Sequence, residues 1–131
     1  LASRSILEVS GGERQLAMVA RALAQEAQIL LLDEPTAHLD VSRRLEVLAL
    51  VRDLAAEGRS ALVVSHDLGL AARECDRVAL LAEGRILAAG PPAEILEPAL
   101  LRRSFGVEAE ILRSADGSAV VVPRRSPHPA P

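Results

Sequence analysis

The chain contains no lysine; its fifteen basic residues are all arginine. That absence excludes the phosphate-gripping lysine of a GxxxxGK[ST] loop, and no such pattern occurs anywhere in the sequence. Tryptophan and tyrosine are also missing, and Phe105 is the single aromatic residue. With a net charge of -3, the chain has neither the basic surface nor the stacking aromatics of a nucleic-acid binder, so no nucleic acid is expected as a partner. Cys75 stands alone, which excludes an intrachain disulfide and fits a reducing compartment. The apolar runs "ILLL" and "ALVV" fall far short of the roughly 20 residues that a bilayer-spanning helix needs. No signal-peptide pattern is visible. What is present is ordinary for a globular protein: 131 residues, 50% hydrophobic and 25% charged, enough for one domain with a sizeable core.

The order of patterns is more informative. Residues 1–9 read as a lead-in and 11–25 as a helix with Leu16, Val19, Ala20 and Leu23 on its apolar face. "QILLLDEP" reads as a strand buried on both faces, the habit of parallel sheets, closed by acids and a proline. Asp40 can cap a second helix over about 41–57, with Leu45, Leu48 and Val51 or Arg52 on alternate turns and Gly58 as its stop. "SALVVSHD" reads as a second buried strand, followed by a short helix near 68–75. Strand, helix, strand argues a βαβ unit with a crossover helix. Beyond it, "DRVALLAEGRILAAG" reads as an antiparallel hairpin turning at Glu83–Gly84. "PPAEIL" and "EPALLRRSF" read as short helices opened by prolines. "AEILRSADGSAVVVP" reads as a last hairpin turning at Asp116–Gly117, and "RRSPHPAP" as a disordered tail.

The stretch "SGGERQ" (10–15) carries the first chemical signal. Ser10 and Glu13 are spaced as a capping box. A capping box needs no glycines, and each of Gly11 and Gly12 costs roughly 0.5–1 kcal/mol against alanine inside a helix. Glycine there suits a backbone that something else approaches closely. Free N–H groups at the positive end of a helix dipole make an anion site.

The second signal is acidic. Asp33 and Glu34 end the first strand, at the edge of an α/β sheet where ligands bind. Adjacent carboxylates can divide labour, one holding hydrated Mg2+ and the other orienting or deprotonating a water. Taken alone, such a pair can equally end a strand and face solvent. His66 and Asp67 end the second strand in the same way, which brings His66 near Glu34 if the strands are parallel neighbours. A lone histidine is usually structural; together with the SGG turn, these features favour a phosphate site.

At this point a resemblance is plain. "VSGGERQLAMVARALAQEAQILLLDEPTAHLD" followed by "VVSHD" resembles the ATP-binding subunits of ABC transporters, over roughly residues 4–90. "VSGGE" resembles their signature motif, "ILLLDE" their Walker B strand, "AHLD" their D-loop and His66 their switch histidine. The signature departs mildly, with Val9 for leucine and Glu13 for glutamine. The resemblance implies the α/β fold of a P-loop NTPase, here its C-terminal part: parallel strands with crossover helices, then an antiparallel hairpin. It implies ATP and Mg2+ as cofactors, Asp33 at the metal, and Glu34 and His66 as catalytic residues, with Glu34 the general base and His66 on the γ-phosphate. It implies Ser10, Gly11, Gly12 and Glu13 as a turn that closes over ATP held by a second ATPase subunit in a head-to-tail dimer, with Asp40 across that interface. The other implied partners are transmembrane permease subunits and a substrate-binding protein, at the cytoplasmic face of the cell membrane.

The family's Walker A loop, adenine-stacking aromatic and Q-loop are not in this sequence. The chain therefore reads as the C-terminal half of an ATPase subunit, a reading that Leu1 in place of an initial methionine favours. The expected division is a partial ATPase domain over 1–105, a hairpin extension over 106–122 and a disordered tail over 123–131. "GPPAEILEPALLRRSFGVEAEIL" and "TAHLDVSRR" resemble importer ATPases for iron–siderophore, haem or cobalamin uptake. Two other readings stay open: a non-hydrolysing interaction or regulatory module on the same fold, and a non-transport, SMC-like ABC ATPase.

Overall fold

The computed structural model describes residues 10–115 and 117–124. The lead-in 1–9, with Val9, lies outside the described residues. The chain divides into two units, 1–66 and 67–131.

In the first unit, α1 (Gly11–Leu23) is followed by β1 (Ile29–Asp33), α2 (Val41–Ala56) and β2 (Ser60–Val64). The two strands pair in parallel, from Ile29 opposite Ser60 to Asp33 opposite Val64, which is the expected βαβ order. Val19, Leu39 and Val47 form one buried cluster, with Leu16 and Leu23 packed against it. Leu30, Leu32 and Val51 form another, with Ala22, Leu54 and Val63. Both helices thus contribute apolar cover to the sheet.

The structure departs from three expectations. Neither strand is buried on both faces. Leu30 and Leu32 are enclosed, but Ile29 is 65% exposed, Leu31 73%, Leu62 61% and Val64 53%. Side chains alternate across a strand, so a sheet covered on one side leaves every second residue bare. Among the described residues this sheet has two strands, and nothing closes its other face. On α2 the buried residues are Val47, Leu48 and Val51, with Leu54 partly buried, while Leu45 is exposed. The stripe runs at i, i+1, i+4 and i+7, and Leu45 falls outside it. On α1, Ala20 is likewise exposed beside buried Val19.

The second unit contains α3 (Leu68–Glu74), β3 (Val78–Ala82), β4 (Arg85–Gly90), α4 (Pro92–Ile95), α5 (Pro98–Phe105), β5 (Glu108–Arg113) and β6 (Ala119–Arg124). β3 and β4 form the expected hairpin around Glu83 (φ 50°) and Gly84 (φ 70°). Two consecutive left-handed residues are what a two-residue hairpin turn requires. A register shift at Leu80/Leu81 bulges the ladder. Prolines open α4 and α5, and Gly106 (φ 68°) caps the end of α5 in the left-handed conformation. β5 and β6 form the second expected hairpin, its loop holding Gly117 at φ 84°. Asp116, the other predicted turn residue, lies outside the described residues. β6 takes in Pro123 and Arg124, which the sequence reading placed in the tail; the rest of that tail is not described. Arg124 pairs with Glu110 across the two strands, and Arg102 with Glu108 at 2.7 Å. Leu80, Ile95, Leu96 and Leu101 make the core of this unit, with Ala72, Ala109 and Ala119. Among the described residues, no helix is long and apolar enough to cross a membrane.

Candidate functional site

Every candidate site residue lies in the first unit. They fall into two groups, joined by a contact that the sequence reading did not foresee.

The first group surrounds the start of α1. Ser10 is extended (φ -61°, ψ 160°), as an N-cap must be. Its Oγ accepts the Glu13 N–H at 3.2 Å, and Glu13 Oε2 accepts the Ser10 N–H at 2.9 Å, so the capping box is complete. The Glu13 carboxylate is therefore turned back on the cap. The Ser10 hydroxyl, already an acceptor, keeps its proton to donate. Among the described residues, the Gly11 and Gly12 N–H groups have no partner, as expected at the first turn of a helix.

Gly12 has a local reason as well. A Cβ there would lie 3.2 Å from the His38 carbonyl oxygen and 3.6 Å from Leu39 Cδ2. A Cβ on Gly11 would sit 3.7 Å from His38 Cβ, which is ordinary contact. The loop Ala37–Asp40 thus runs tight against Gly12. His38 itself has φ 61°, a conformation that costs a non-glycine residue roughly 1–2 kcal/mol. Asp40 N-caps α2, its Oδ1 accepting the Arg43 N–H at 2.9 Å. Its other oxygen lies 3.7 Å from Arg43 Nε. Two helix N-termini, those of α1 and α2, therefore approach each other through the 37–40 loop.

The second group sits where β1 and β2 end side by side. The Glu34 N–H continues the ladder to the Val64 carbonyl at 2.9 Å. Glu34 then turns sharply, at φ 44°. Its Oε1 accepts the His66 N–H at 3.0 Å and lies 3.5 Å from His66 Nε2. The parallel pairing thus brings His66 to Glu34. The His66 side chain is 89% exposed, unlike a histidine serving a core. Asp33, one residue earlier, is exposed, and its carboxylate has no partner among the described residues. No group of three or more His, Cys, Asp or Glu among those residues could cage a metal. An open carboxylate such as that of Asp33 nevertheless fits Mg2+, which is commonly held by one or two carboxylates plus substrate phosphates and water.

Gln15 joins the groups. Its Nε2 donates to the Glu34 carbonyl at 3.0 Å, and the Ala37 N–H donates to the same oxygen at 3.0 Å. Sequence reading missed this role for Gln15, and missed Arg43 and His38. The available signal was spacing: Gln15 stands one helical turn after Gly11, on the same side of α1.

A family model described as ABC transporter matches residues 1–37. The hemin import ATP-binding protein HmuV of Bordetella avium is 48% identical over 120 residues, which is 86% of this chain and 46% of that protein. The cobalamin import ATP-binding protein BtuD of Halobacterium salinarum is 46% identical over 124 residues, 93% of this chain and 31% of that protein. The chain thus spans less than half the length of these curated relatives. Among solved structures, a metal-chelate type ABC transporter in an inward-facing conformation superposes with a TM-score of 0.79 at 28% identity, covering 95% of this chain and 51% of that one. A dimeric ATP-binding cassette in a post-hydrolysis state, bound to ADP and Pi, superposes with a TM-score of 0.60 at 31% identity, covering 65% of this chain and 37% of that one. With 86% and 93% of the chain matched by the hemin and cobalamin import ATP-binding proteins, and 95% of it superposing on the metal-chelate type transporter, the chain belongs to the family of ABC transporter ATP-binding domains.

Proposed function

We propose that this chain is the C-terminal part of an ATPase subunit that binds and hydrolyses ATP to power import of an iron complex, haem or cobalamin across a membrane. The observation that carries the reading is the Glu34–His66 contact at the paired strand ends, in a chain whose relatives are named for hemin and cobalamin import.

In this reading Glu34 takes the proton from the attacking water, and His66 contacts the γ-phosphate. Asp33 would help hold Mg2+, whose charge would offset that developing on the phosphates. Ser10, Gly11 and Gly12 present a hydroxyl and two N–H groups to the ATP of a second subunit. Glu13 braces the turn through its capping bond, and Asp40 faces the partner. The partners are that second ATPase subunit, permease subunits and a substrate-binding protein, and the location is the cytoplasmic face of the cell membrane. Residues 1–105 are then the ATPase domain and the segment from 106, whose last strand runs to Arg124, a hairpin extension. Support comes from the free donors at the start of α1 and the open Asp33. The relative solved as a dimer with ADP and Pi supports an ATP site shared between subunits.

The 131-residue chain by itself, with no lysine and no phosphate-binding loop, is expected to show no ATP turnover. Turnover that copurifies with it and disappears in Glu34→Gln would overturn that expectation. In the full-length subunit, Ser10→Arg tests the shared site. ATP binding to the isolated subunit should persist, while a mixed dimer with one altered turn should lose closure at one site. A parallel loss of ATP binding by the isolated subunit would assign the turn to the local nucleotide site instead.

A further inference from the structure

The peptide that follows Glu34 is an unusual one to hold in place. Pro35 has no N–H, so the Glu34–Pro35 peptide can be anchored only through the Glu34 carbonyl. Two donors reach that oxygen: the Ala37 N–H from within the same turn, and Gln15 Nε2 from α1. Pro35 is fully buried, which fixes one end of the peptide. Glu34 is in the left-handed region, where a glutamate stays only if its surroundings hold it. The Glu34 N–H is held by the Val64 carbonyl, so anchoring the carbonyl on the other side of Cα fixes the direction of the Cα–Cβ bond, and so the placement of the carboxylate that meets His66.

We infer that Gln15 is a positioning residue for the Glu34 carboxylate, acting through the Glu34 main-chain carbonyl. The inference rests on the proposed role of Glu34 as general base. It also gives α1 a second task. The helix begins at the Ser10–Gly12 turn and, one turn later, grips the base-bearing turn of its own subunit.

The test uses the full-length subunit with Gln15→Met, which keeps the length and removes the donor. A second variant, Gln15→Glu, keeps the shape and places an acceptor against the carbonyl. Turnover, KM for ATP and the thermal midpoint are measured for each, alone and combined with Glu34→Gln. Misplacing a catalytic group by about an ångström costs on the order of a hundredfold, so kcat should fall roughly ten- to a hundredfold. KM and the midpoint should hold, and the residual turnover of Glu34→Gln should fall no further when Gln15 is also changed. Unchanged kcat in both Gln15 variants, beside an inactive Glu34→Gln, overturns the inference and leaves the base assignment standing. So does a loss that recurs in full on the Glu34→Gln background, or one accompanied by a lower midpoint and weaker ATP binding; Gln15 would then merely pack α1. Turnover retained by Glu34→Gln itself overturns the base assignment, and the inference with it.

Discussion

The two units of the chain solve the burial problem differently. In residues 67–124, Leu96 and Leu101 are wholly enclosed, and helices and hairpins contribute to one core. In residues 10–66 a two-stranded parallel sheet has one covered face and one bare face carrying Ile29, Leu31, Leu62 and Val64. Every candidate site residue belongs to the unit with the unfinished sheet, and none to the unit with the closed core. Chemistry at the end of a parallel sheet depends on strand ends lying side by side, which pairing alone secures. Stability depends on covering both faces, which this pairing does not achieve. Each large apolar side chain left in water forgoes roughly 1.5–3 kcal/mol, against about 5–15 kcal/mol for a whole domain.

The largest effect that separates the units is catalytic. In the full-length subunit, Glu34→Gln should lower turnover about 10²–10⁴-fold, equivalent to roughly 3–5 kcal/mol on the barrier. ATP-dependent dimerisation, followed by size-exclusion, should persist, because the Ser10–Gly12 turn is untouched. Near-normal turnover would remove the base from this unit and with it the functional half of the contrast.

Leu101→Ala comes next and addresses the other unit. Leu101 is fully enclosed, and such truncations cost about 2–5 kcal/mol, the transfer loss plus the cavity left behind. The urea midpoint of the chain should drop accordingly. A shift no larger than that of an exposed leucine would show that the second unit is as loosely closed as the first.

Much of this contrast was legible in the sequence, and the remainder had definite reasons not to be. The Ser10–Glu13 cap, the Asp40 cap and the Glu83–Gly84 turn all follow from local rules, in which the determining residues lie within a few positions of one another. The meeting of Glu34 and His66 required one further step, the parallel neighbourhood of two strands, and that step was available. The bare face was not. "ILLLD" reads the same whether a second layer covers Ile29 and Leu31 or not, since composition records what a strand can bury and not what is there to bury it. The donor from Gln15 to Glu34 joins residues 19 apart, between a helix and a turn that no local rule connects. The left-handed conformations of Glu34 and His38 were hidden for a similar reason. Glutamate and histidine do not advertise positive φ as glycine does, so tertiary contacts decide it. The tight approach of the His38 carbonyl to Gly12 likewise adds an internal packing reason for a glycine that had been read only as access for a phosphate.

A smaller effect tests the comparison without mutation. In the isolated 131-residue chain, amides of β1 and β2 should exchange faster than those of β5 and β6, by roughly tenfold or more, because local opening follows the apolar cover over a segment. The isolated chain should also be poorly soluble, since an apolar sheet with unpaired edges invites association. Hydrogen exchange read by mass spectrometry suits a protein with one aromatic residue, which gives little optical signal. Equal, strong protection over 29–33 and 60–64, with one sharp cooperative transition, would erase the distinction between the units and favour an independent interaction module.

The smallest effect on stability sharpens the comparison most, because a bare and a covered face give costs of very different size at one position. Leu31 points from β1 to the bare face and is largely exposed. If that face is bare in the isolated chain, Leu31→Ser removes apolar surface that was already in water. The unfolding free energy should then move by no more than about 0.5 kcal/mol, as for other exposed positions. Self-association should fall, since the variant interrupts the apolar row formed with Ile29, Leu62 and Val64. If instead the face is covered in the full-length subunit, the same substitution there creates a polar group in a packed layer and costs on the order of 2–4 kcal/mol. Thermal unfolding and sedimentation of Leu31→Ser in both contexts measure that difference. A large cost in the isolated chain would mean that the face is already closed there. A negligible cost in both contexts would mean that it stays open throughout, and that the unfinished sheet is not confined to the isolated chain.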